Sequence, residues 1–302
     1  MVRFRNIDQF KAFIKKEAAR LNISVPNAYS TFISRTFLEK LSKRDVDKIV
    51  LVKGSVAETA YLGELVRGIT DVDLASTSSI ELNIPILRKV LNHEIINDIR
   101  FKLTKKPSVT KTGIYKFNFD AEIGKIKENL GVDFQDNYTR LIEKKYSVMP
   151  KIFEGDKEFI ISTPSFEEYL AEKLCIILER NNPNMLNTRL KDFYDIYELH
   201  GGKYDSEKLA EYFKLMLALN AKIRIEDART DYLDKSFVEN HLNIWKSVSK
   251  KYDFLDKEID LGGAVYYTRA VLREYLQKNG ISIGASIDNK QEKQKQFNKK
   301  SW

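Results

Sequence analysis

Apolar positions along the chain switch between helical and strand period. Over residues 1 to 45 they recur at helical spacing: Phe10, Phe13 and Ile14 share one face, and Tyr29, Phe32, Ile33, Phe37 and Leu38 line another between Pro26 and Leu41. Helices that cover a sheet are expected there. The run Ile49-Val50-Leu51-Val52 is short and β-branched, as a buried strand requires. Lys53-Gly54-Ser55 then reads as a turn into a helix that Ser55 can cap and that should end near Gly68. A strand through Val72 and Leu74 follows, and a helix is expected from about Pro85, proline being favoured at a first helical position.

From Ile99 to Ile161 strand period dominates. The candidate strands are Phe101 to Leu103, Ile114 to Phe119, Gly131 to Phe134, Ser147 to Ile152 and Phe159 to Ile161, which with the earlier two make one mixed sheet. At Thr163-Pro164-Ser165 the chain turns helical and stays so; Ser165 with Glu168 fits a capping box. Gly201-Gly202 closes a helix, and residues 206 to 219, 235 to 250 and 261 to 279 read as three more. The fold class is therefore α+β, a mixed-sheet domain over 1–162 followed by a helical domain over 163–284 and a tail over 285–302.

Composition changes this picture little. A chain of 302 residues, 43% hydrophobic, is long enough to bury its own core. The lone Cys175 excludes an internal disulfide, the charged start (Arg3, Arg5, Asp8) is unlike a signal segment, and no apolar run is long enough to span a membrane. A cytoplasmic location is expected. The net charge of +8 favours polyanionic partners. Six basic residues and no acid lie between Arg100 and Lys116 (Arg100, Lys102, Lys105, Lys106, Lys111, Lys116), either an edge hairpin guarded by lysines or a contact for an RNA backbone. The tail is basic without apolar period and is expected to be disordered.

Candidate chemistry centres on residues 53 to 74. Gly54 and Ser55 let backbone amides approach an anion at a helix start. Asp71 and Asp73 alternate with Val72 and Leu74, so strand period puts both carboxylates on one face, where they repel unless a cation lies between them. The order suggests a phosphate cradle facing a magnesium site. Asp133 faces away from Val132 and Phe134 and is either a third metal carboxylate, with Asp120 and Glu122 competing, or a solvent-facing strand residue. Further along, Lys173 falls inside the apolar stripe of Phe166, Leu170, Leu174 and Ile177; it either snorkels out or lines a pocket for a phosphate. Asp192 and Asp195 lie opposite the stripe of Leu190, Phe193, Tyr194 and Tyr197, which solvent exposure alone would explain. Gly262-Gly263 reads as a helix entry or a phosphate contact, and His93, His200 and His241 lack metal-ligand spacing.

These motifs resemble the nucleotidyltransferase superfamily, and within it the AbiEii/AbiGii toxins of type IV toxin-antitoxin and abortive-infection systems. The resemblance rests on Val52-Lys53-Gly54-Ser55, Arg67-x-x-Thr70-Asp71-Val72-Asp73-Leu74, Ala171-Glu172-Lys173-Leu174 and Arg189-Leu190-Lys191-Asp192 followed by Tyr194-Asp195-Ile196, and covers most of residues 46 to 200. It implies Mg²⁺ on Asp71 and Asp73, two magnesium ions in the superfamily pattern, and often a third carboxylate, for which Asp133 is the candidate with Asp120 and Glu122 competing; some members lack it. It implies an NTP, GTP or a pyrimidine nucleotide, held by Gly54, Ser55, Arg67, Thr70, Lys173, Arg189 and Lys191. Asp192 is the implied base, with Asp195 in reserve, and the helical domain is expected to close over the nucleotide. The implied acceptor is RNA, the tRNA 3′ end, and the implied partner a cognate antitoxin that does not bind directly. A small-molecule or protein acceptor, or binding without turnover, is the alternative.

Overall fold

The computed structural model describes residues 4, 6–43, 50–76, 95–96, 99–104, 106–111, 113–135, 143–180, 187, 189–219 and 229–281. Ile49, the helix expected from Pro85, Lys105 and the tail expectation at 285–302 lie outside the described residues. The chain divides into two compact units, Met1–Tyr169 with Ser249–Lys257, and Leu170–Val248 with Glu258–Trp302.

The first unit opens with helices α1 (Ile7–Arg20) and α2 (Val25–Ser42), capped by the side chains of Asn6 and Ser24. Strand β1 (Val50–Lys53), helix α3 (Gly54–Leu62) and strand β2 (Val72–Ser76) follow, then β3 (Ile95–Ile96), β4 (Ile99–Leu103), β5 (Ser108–Val109), β6 (Ile114–Ile123), β7 (Ile126–Gln135), β8 (Lys144–Met149) and β9 (Phe159–Pro164). The main sheet runs β1-β2-β7-β6-β4-β3, with β5 beside β6. It is mixed because β2 and β7 are parallel while the other described pairs are antiparallel. The single sheet expected from the pattern is not what forms: among the described residues β8 and β9 pair with each other as a second, two-stranded sheet. β8 also ends at Met149 rather than Ile152, because Pro150 has no N–H to continue a ladder.

Alternation on the central strands decides which face is core. Val72, Leu74, Phe117, Phe119, Leu130, Val132 and Phe134 join one cluster with Phe10, Phe32 and Phe37 of the cover helices. The Phe37 ring lies 5.6 Å from Phe101 and 5.5 Å from Phe119, so α2 packs on that face. Burying each such ring contributes about 2–3 kcal/mol. The residues between them, Asp73, Asp133 and Lys116, therefore project from the opposite face.

Helix α4 (Phe166–Glu179), whose residues from Leu170 onward belong to the second unit, is entered through Ser165, whose hydroxyl accepts from Glu168 N–H at 3.2 Å. The box is only half closed, since the Glu168 carboxylate accepts from Glu143 N–H instead. Helices α5 (Lys191–His200), α6 (Ser206–Leu219), α7 (Lys235–Tyr252) and α8 (Leu261–Lys278) make up the second unit, except that α7 from Ser249 onward belongs to the first. Tyr197 meets Tyr267 edge-on at 5.2 Å, and His200 Nδ1 lies 2.6 Å from the Tyr267 hydroxyl, tying α5 to α8. His241 is structural: Nδ1–H donates to Phe237 O, and Nε2 accepts from Asn187 N–H at 2.9 Å. Asp260 caps α8 by accepting from Gly263 N–H at 2.6 Å. That carboxylate takes the amide a phosphate would need, so the Gly262-Gly263 pair is a helix entry.

Candidate active site

In the first unit the site grows from one glycine. Gly54 has φ +63°, and a Cβ on it would lie 2.0 Å from Asp73 Oδ2. Only a residue without a side chain lets the carboxylate press against the turn. Gly54 itself begins α3, and the N-cap is Lys53, which makes no capping bond through its side chain. Ser55 thus does not cap the helix as expected. Its side chain is buried and its Oγ has no hydrogen-bond partner. A buried hydroxyl without a partner costs about 1–3 kcal/mol, which a ligand oxygen at the helix start would recover.

The helix is also shorter than its sequence suggests. It stops at Leu62 because Gly63 turns left-handed at φ 74°, and Leu65 to Thr70 are free to form a pinned loop ahead of β2. Gly68 N–H donates to Tyr252 O at 2.8 Å, and Ile69 N–H donates to Thr31 Oγ1 at 3.0 Å. Arg67 is 1% exposed; its guanidinium lies 3.2 Å from Glu58 on α3 and over the Tyr252 ring. Tyr169 Oη donates to the other Glu58 oxygen at 2.9 Å. Arg67, expected on the nucleotide, is placed inside the unit as a clamp between α3 and the loop carrying Asp71. Thr70 Oγ1 lies 3.3 Å from Asp71 Oδ1 and orients that carboxylate.

Register brings the other charges into line. Lys53 is opposite Asp73, Asp73 beside Asp133, and Asp133 opposite Lys116, one row across β1, β2, β7 and β6 on the face away from the cover helices. Lys116 Nζ lies 2.9 and 3.2 Å from the two Asp133 oxygens. Its ammonium is pushed up from its ordinary value by that hydrogen bond, against partial burial, with the charges of Asp133, Asp71 and Asp73 adding. Asp120 and Glu122 are not in the row. Asp120 is four residues from Lys116, about 13 Å along a strand, and pairs with Lys127 at 2.5 Å. Among the described residues no three acidic, histidine or cysteine side chains converge as a preformed metal cage. Asp71 and Asp73 offer carboxylate oxygens, hard donors of the kind that suit an ion whose other ligands come from phosphate and water.

The helical unit holds a separate charge cluster. Lys173 is 5% exposed and does not snorkel: Nζ lies 3.1 Å from Asp192 Oδ1 and 2.6 Å from Asp195 Oδ2. Both aspartates are wholly buried, so solvent does not explain their placement on α5. Arg189, just before the helix, adds contacts of 2.8 and 3.2 Å to Asp192. Burial alone would push the Asp192 carboxyl up, but Lys173 and Arg189 outweigh it and hold it below the ordinary value. Lys191, half-buried, adds to the same effect.

Sequence reasoning missed Glu58 and Tyr169, and read Lys116 only as one of a basic run and not as the partner of Asp133. Glu58 left one trace, an acid inside the apolar helix Val56-Ala57-Glu58-Thr59-Ala60, which demands a buried partner.

A family model described as "Nucleotidyl transferase AbiEii toxin, Type IV TA system" matches residues 36–265. The chain belongs to this family. It is thus an AbiEii nucleotidyltransferase, and the matched region takes in both the Gly54–Asp73 turn and the Lys173 cluster. No curated protein matches. Among solved structures, the chain resembles JHP933 from Helicobacter pylori at 15% identity, covering 83% of this chain and 94% of that one with a TM-score of 0.43. It also resembles the antibiotic-resistance factor ANT(2'')-Ia at 14% identity, over 63% and 94% of the two chains, with a TM-score of 0.39. No helix among the described residues of this AbiEii protein is long and apolar enough to cross a membrane.

Proposed function

We propose that this AbiEii nucleotidyltransferase moves a nucleotide from an NTP to an RNA hydroxyl, the tRNA 3′ end, in a Mg²⁺-dependent reaction that arrests growth until a cognate antitoxin relieves it. The donor class is GTP or a pyrimidine NTP, and the antitoxin acts without binding the transferase directly. The observation that carries this reading is the contact of Asp73 with the Gly54 turn. Asp73, the carboxylate read here as a cation ligand, lies against the start of the helix in which the buried Ser55 hydroxyl lacks a hydrogen-bond partner, and this supports the reading.

Each residue then has a task. The Gly54 turn and the first amides of α3 receive phosphate oxygens, and Ser55 Oγ donates to one of them. Mg²⁺ on Asp71 and Asp73 would neutralise triphosphate charge and acidify the acceptor hydroxyl. The hydroxyl oxygen bonds to the α-phosphorus, the bond from that phosphorus to the bridging oxygen breaks, and pyrophosphate leaves. The motifs that hold Lys173 and Asp192 imply phosphate binding and acceptance of the hydroxyl proton, roles that require these buried, mutually paired side chains to be uncovered. A carboxyl held below its ordinary value is a weak base, so the hydroxyl must be acidified first. Support for RNA comes from Arg100, Lys102, Lys106 and Lys111, all exposed, with Arg100 and Lys102 alternating outward on β4.

The test is to incubate the protein with Mg²⁺, bacterial tRNA and each α-³²P NTP in turn. Label on RNA with one NTP, absent with EDTA and absent from the Asp71→Ala, Asp73→Ala protein, is the expected result. No label with any NTP refutes the RNA acceptor. Label that survives both substitutions refutes the site.

A further inference from the structure

A glycine inside a strand weakens it, because it loses more freedom on folding than other residues and brings no side chain to pack. Gly131 of β7 does so without any of the usual structural reasons. Its φ is not positive, so the backbone there suits any residue. It is not at a bulge, since the β6–β7 register runs unbroken from Ile114 opposite Gln135 to Ile123 opposite Ile126, and β2 pairs with β7 without a break from Val72 to Ala75. Nor is it crowded: among the described residues no atom lies within 4 Å of a Cβ built on it. What remains is the close approach of a ligand.

The position of Gly131 says which ligand. It stands two residues before Asp133 and so on the same face of the sheet, with Asn118 opposite it on β6, its side chain exposed. The next residue, Val132, pairs with Val72, which lies between Asp71 and Asp73. Gly131 is thus a bare patch of floor beside the strand of the carboxylates. Because β2 lies between β1 and β7, the Gly54 turn that follows β1 and the Gly131 floor flank that strand on opposite sides.

We propose that the 3′-terminal nucleotide of the RNA acceptor lies on β7 over Gly131 and is hydrogen-bonded by the Asn118 carboxamide. This rests on the nucleotidyl-transfer reading above. In-line displacement puts the attacking and leaving oxygens on opposite sides of the α-phosphorus. With pyrophosphate leaving on the Gly54 side, the acceptor hydroxyl arrives from the β7 side. A side chain at position 131 would fill the space it comes through. Asn118 offers both a donor and an acceptor, which suits ribose hydroxyls and the edge of an unstacked base. Further along the same face Lys102 stands opposite Asp120 and Arg100 opposite Glu122, and Lys127 pairs with Asp120. Three cations to two carboxylates there favour the phosphates of the preceding nucleotides.

The experiment compares wild type, Gly131→Val and Asn118→Ala as full chains, by melting temperature, by calorimetry of Mn²⁺ with α,β-methylene GTP or CTP, and by steady-state transfer to bacterial tRNA. Valine suits a strand, so Gly131→Val should melt about 1–4 °C above wild type. Its nucleotide affinity should stay within about twofold, while kcat/KM for tRNA falls by about 10²-fold or more. Asn118→Ala should raise KM for tRNA by about 3–10-fold at unchanged nucleotide affinity. Wild-type transfer by Gly131→Val overturns the proposal, as does an unchanged tRNA KM in Asn118→Ala; both leave nucleotidyl transfer standing. A matching loss of nucleotide affinity in Gly131→Val also overturns it, by placing the donor on that floor, and so does a lower melting temperature, which would make the glycine structural. No label on tRNA with the wild type refutes the RNA acceptor itself, and this proposal with it.

Discussion

Gly54→Ala tests the site at its narrowest point. A Cβ there would sit 2.0 Å from Asp73 Oδ2, whereas ordinary contact needs roughly 3.5 Å. The carboxylate must therefore retreat by roughly 1.5 Å, and a misplacement near 1 Å at a reacting centre costs about 10²-fold in rate. The backbone adds a penalty of its own, because φ is +63° and a side chain in the left-handed region costs about 1–2 kcal/mol. The two effects can be separated. Gly63 has a similar φ of +74° with nothing within 4 Å of a built Cβ, so Gly63→Ala carries the backbone strain without the contact. Both variants should lose a few degrees of melting temperature, about 2–4 °C per kcal/mol for a unit of this size. Only Gly54→Ala should lose kcat, by about 10²-fold or more, together with Mn²⁺ affinity. The assay is thermal unfolding by circular dichroism beside steady-state nucleotidyl transfer. Wild-type kcat in Gly54→Ala, or an equal loss in Gly63→Ala, would refute the claim that Asp73 and the turn form one site.

Two other substitutions probe the buried charges. Lys173→Met leaves Asp192 and Asp195 wholly buried with Arg189 as the remaining cation contact described for them, and should cost about 3–5 kcal/mol in urea unfolding at neutral pH. Asp192 is held below its ordinary value, so its pairing stabilises the wild type above about pH 4 and is lost as the pH falls further. In Lys173→Met, burial acts against a weaker opposing field and the carboxyls take up protons sooner, so the deficit should shrink on acidification; a pH-independent deficit would show that lysine packing, not charge, is what matters. Glu58→Gln should destabilise by a similar amount, about 3–5 kcal/mol, because it removes the buried carboxylate charge beside Arg67 and weakens the Tyr169 contact; Arg67→Met on that background should recover part of the loss, and a purely additive double variant would dissolve the clamp.

Much of this transferase was legible from local pattern. The cover helices, β1, the Gly-Ser turn and the strand bearing Asp73, with Asp71 one residue ahead of it, are set by apolar period and by a glycine where the chain must turn left, properties that depend on near neighbours in sequence. The motifs around Lys173 and Asp192 were visible too, but their environment was not. A helical wheel gives the face on which Asp192 and Asp195 lie; it does not say that the face is covered, and both are wholly buried on Lys173. Gly68 was a fair helix stop by composition, yet the left-handed Gly63 ended the helix, and Arg67 in the loop beyond it meets Glu58 nine residues back and Tyr252 far along the chain.

Sequence by itself determined which residue types could make the chemistry and on which side of each strand they would stand, because side-chain direction alternates with the backbone. Tertiary structure alone decided which strands became neighbours and in what register. The parallel pairing of β2 with β7 set Asp133 beside Asp73, and the β6–β7 hairpin brought Lys116 onto it. A shift of one residue in either pairing would have turned those side chains to the core face, so the charge row exists only because the hydrophobic faces of all four strands had to be buried together.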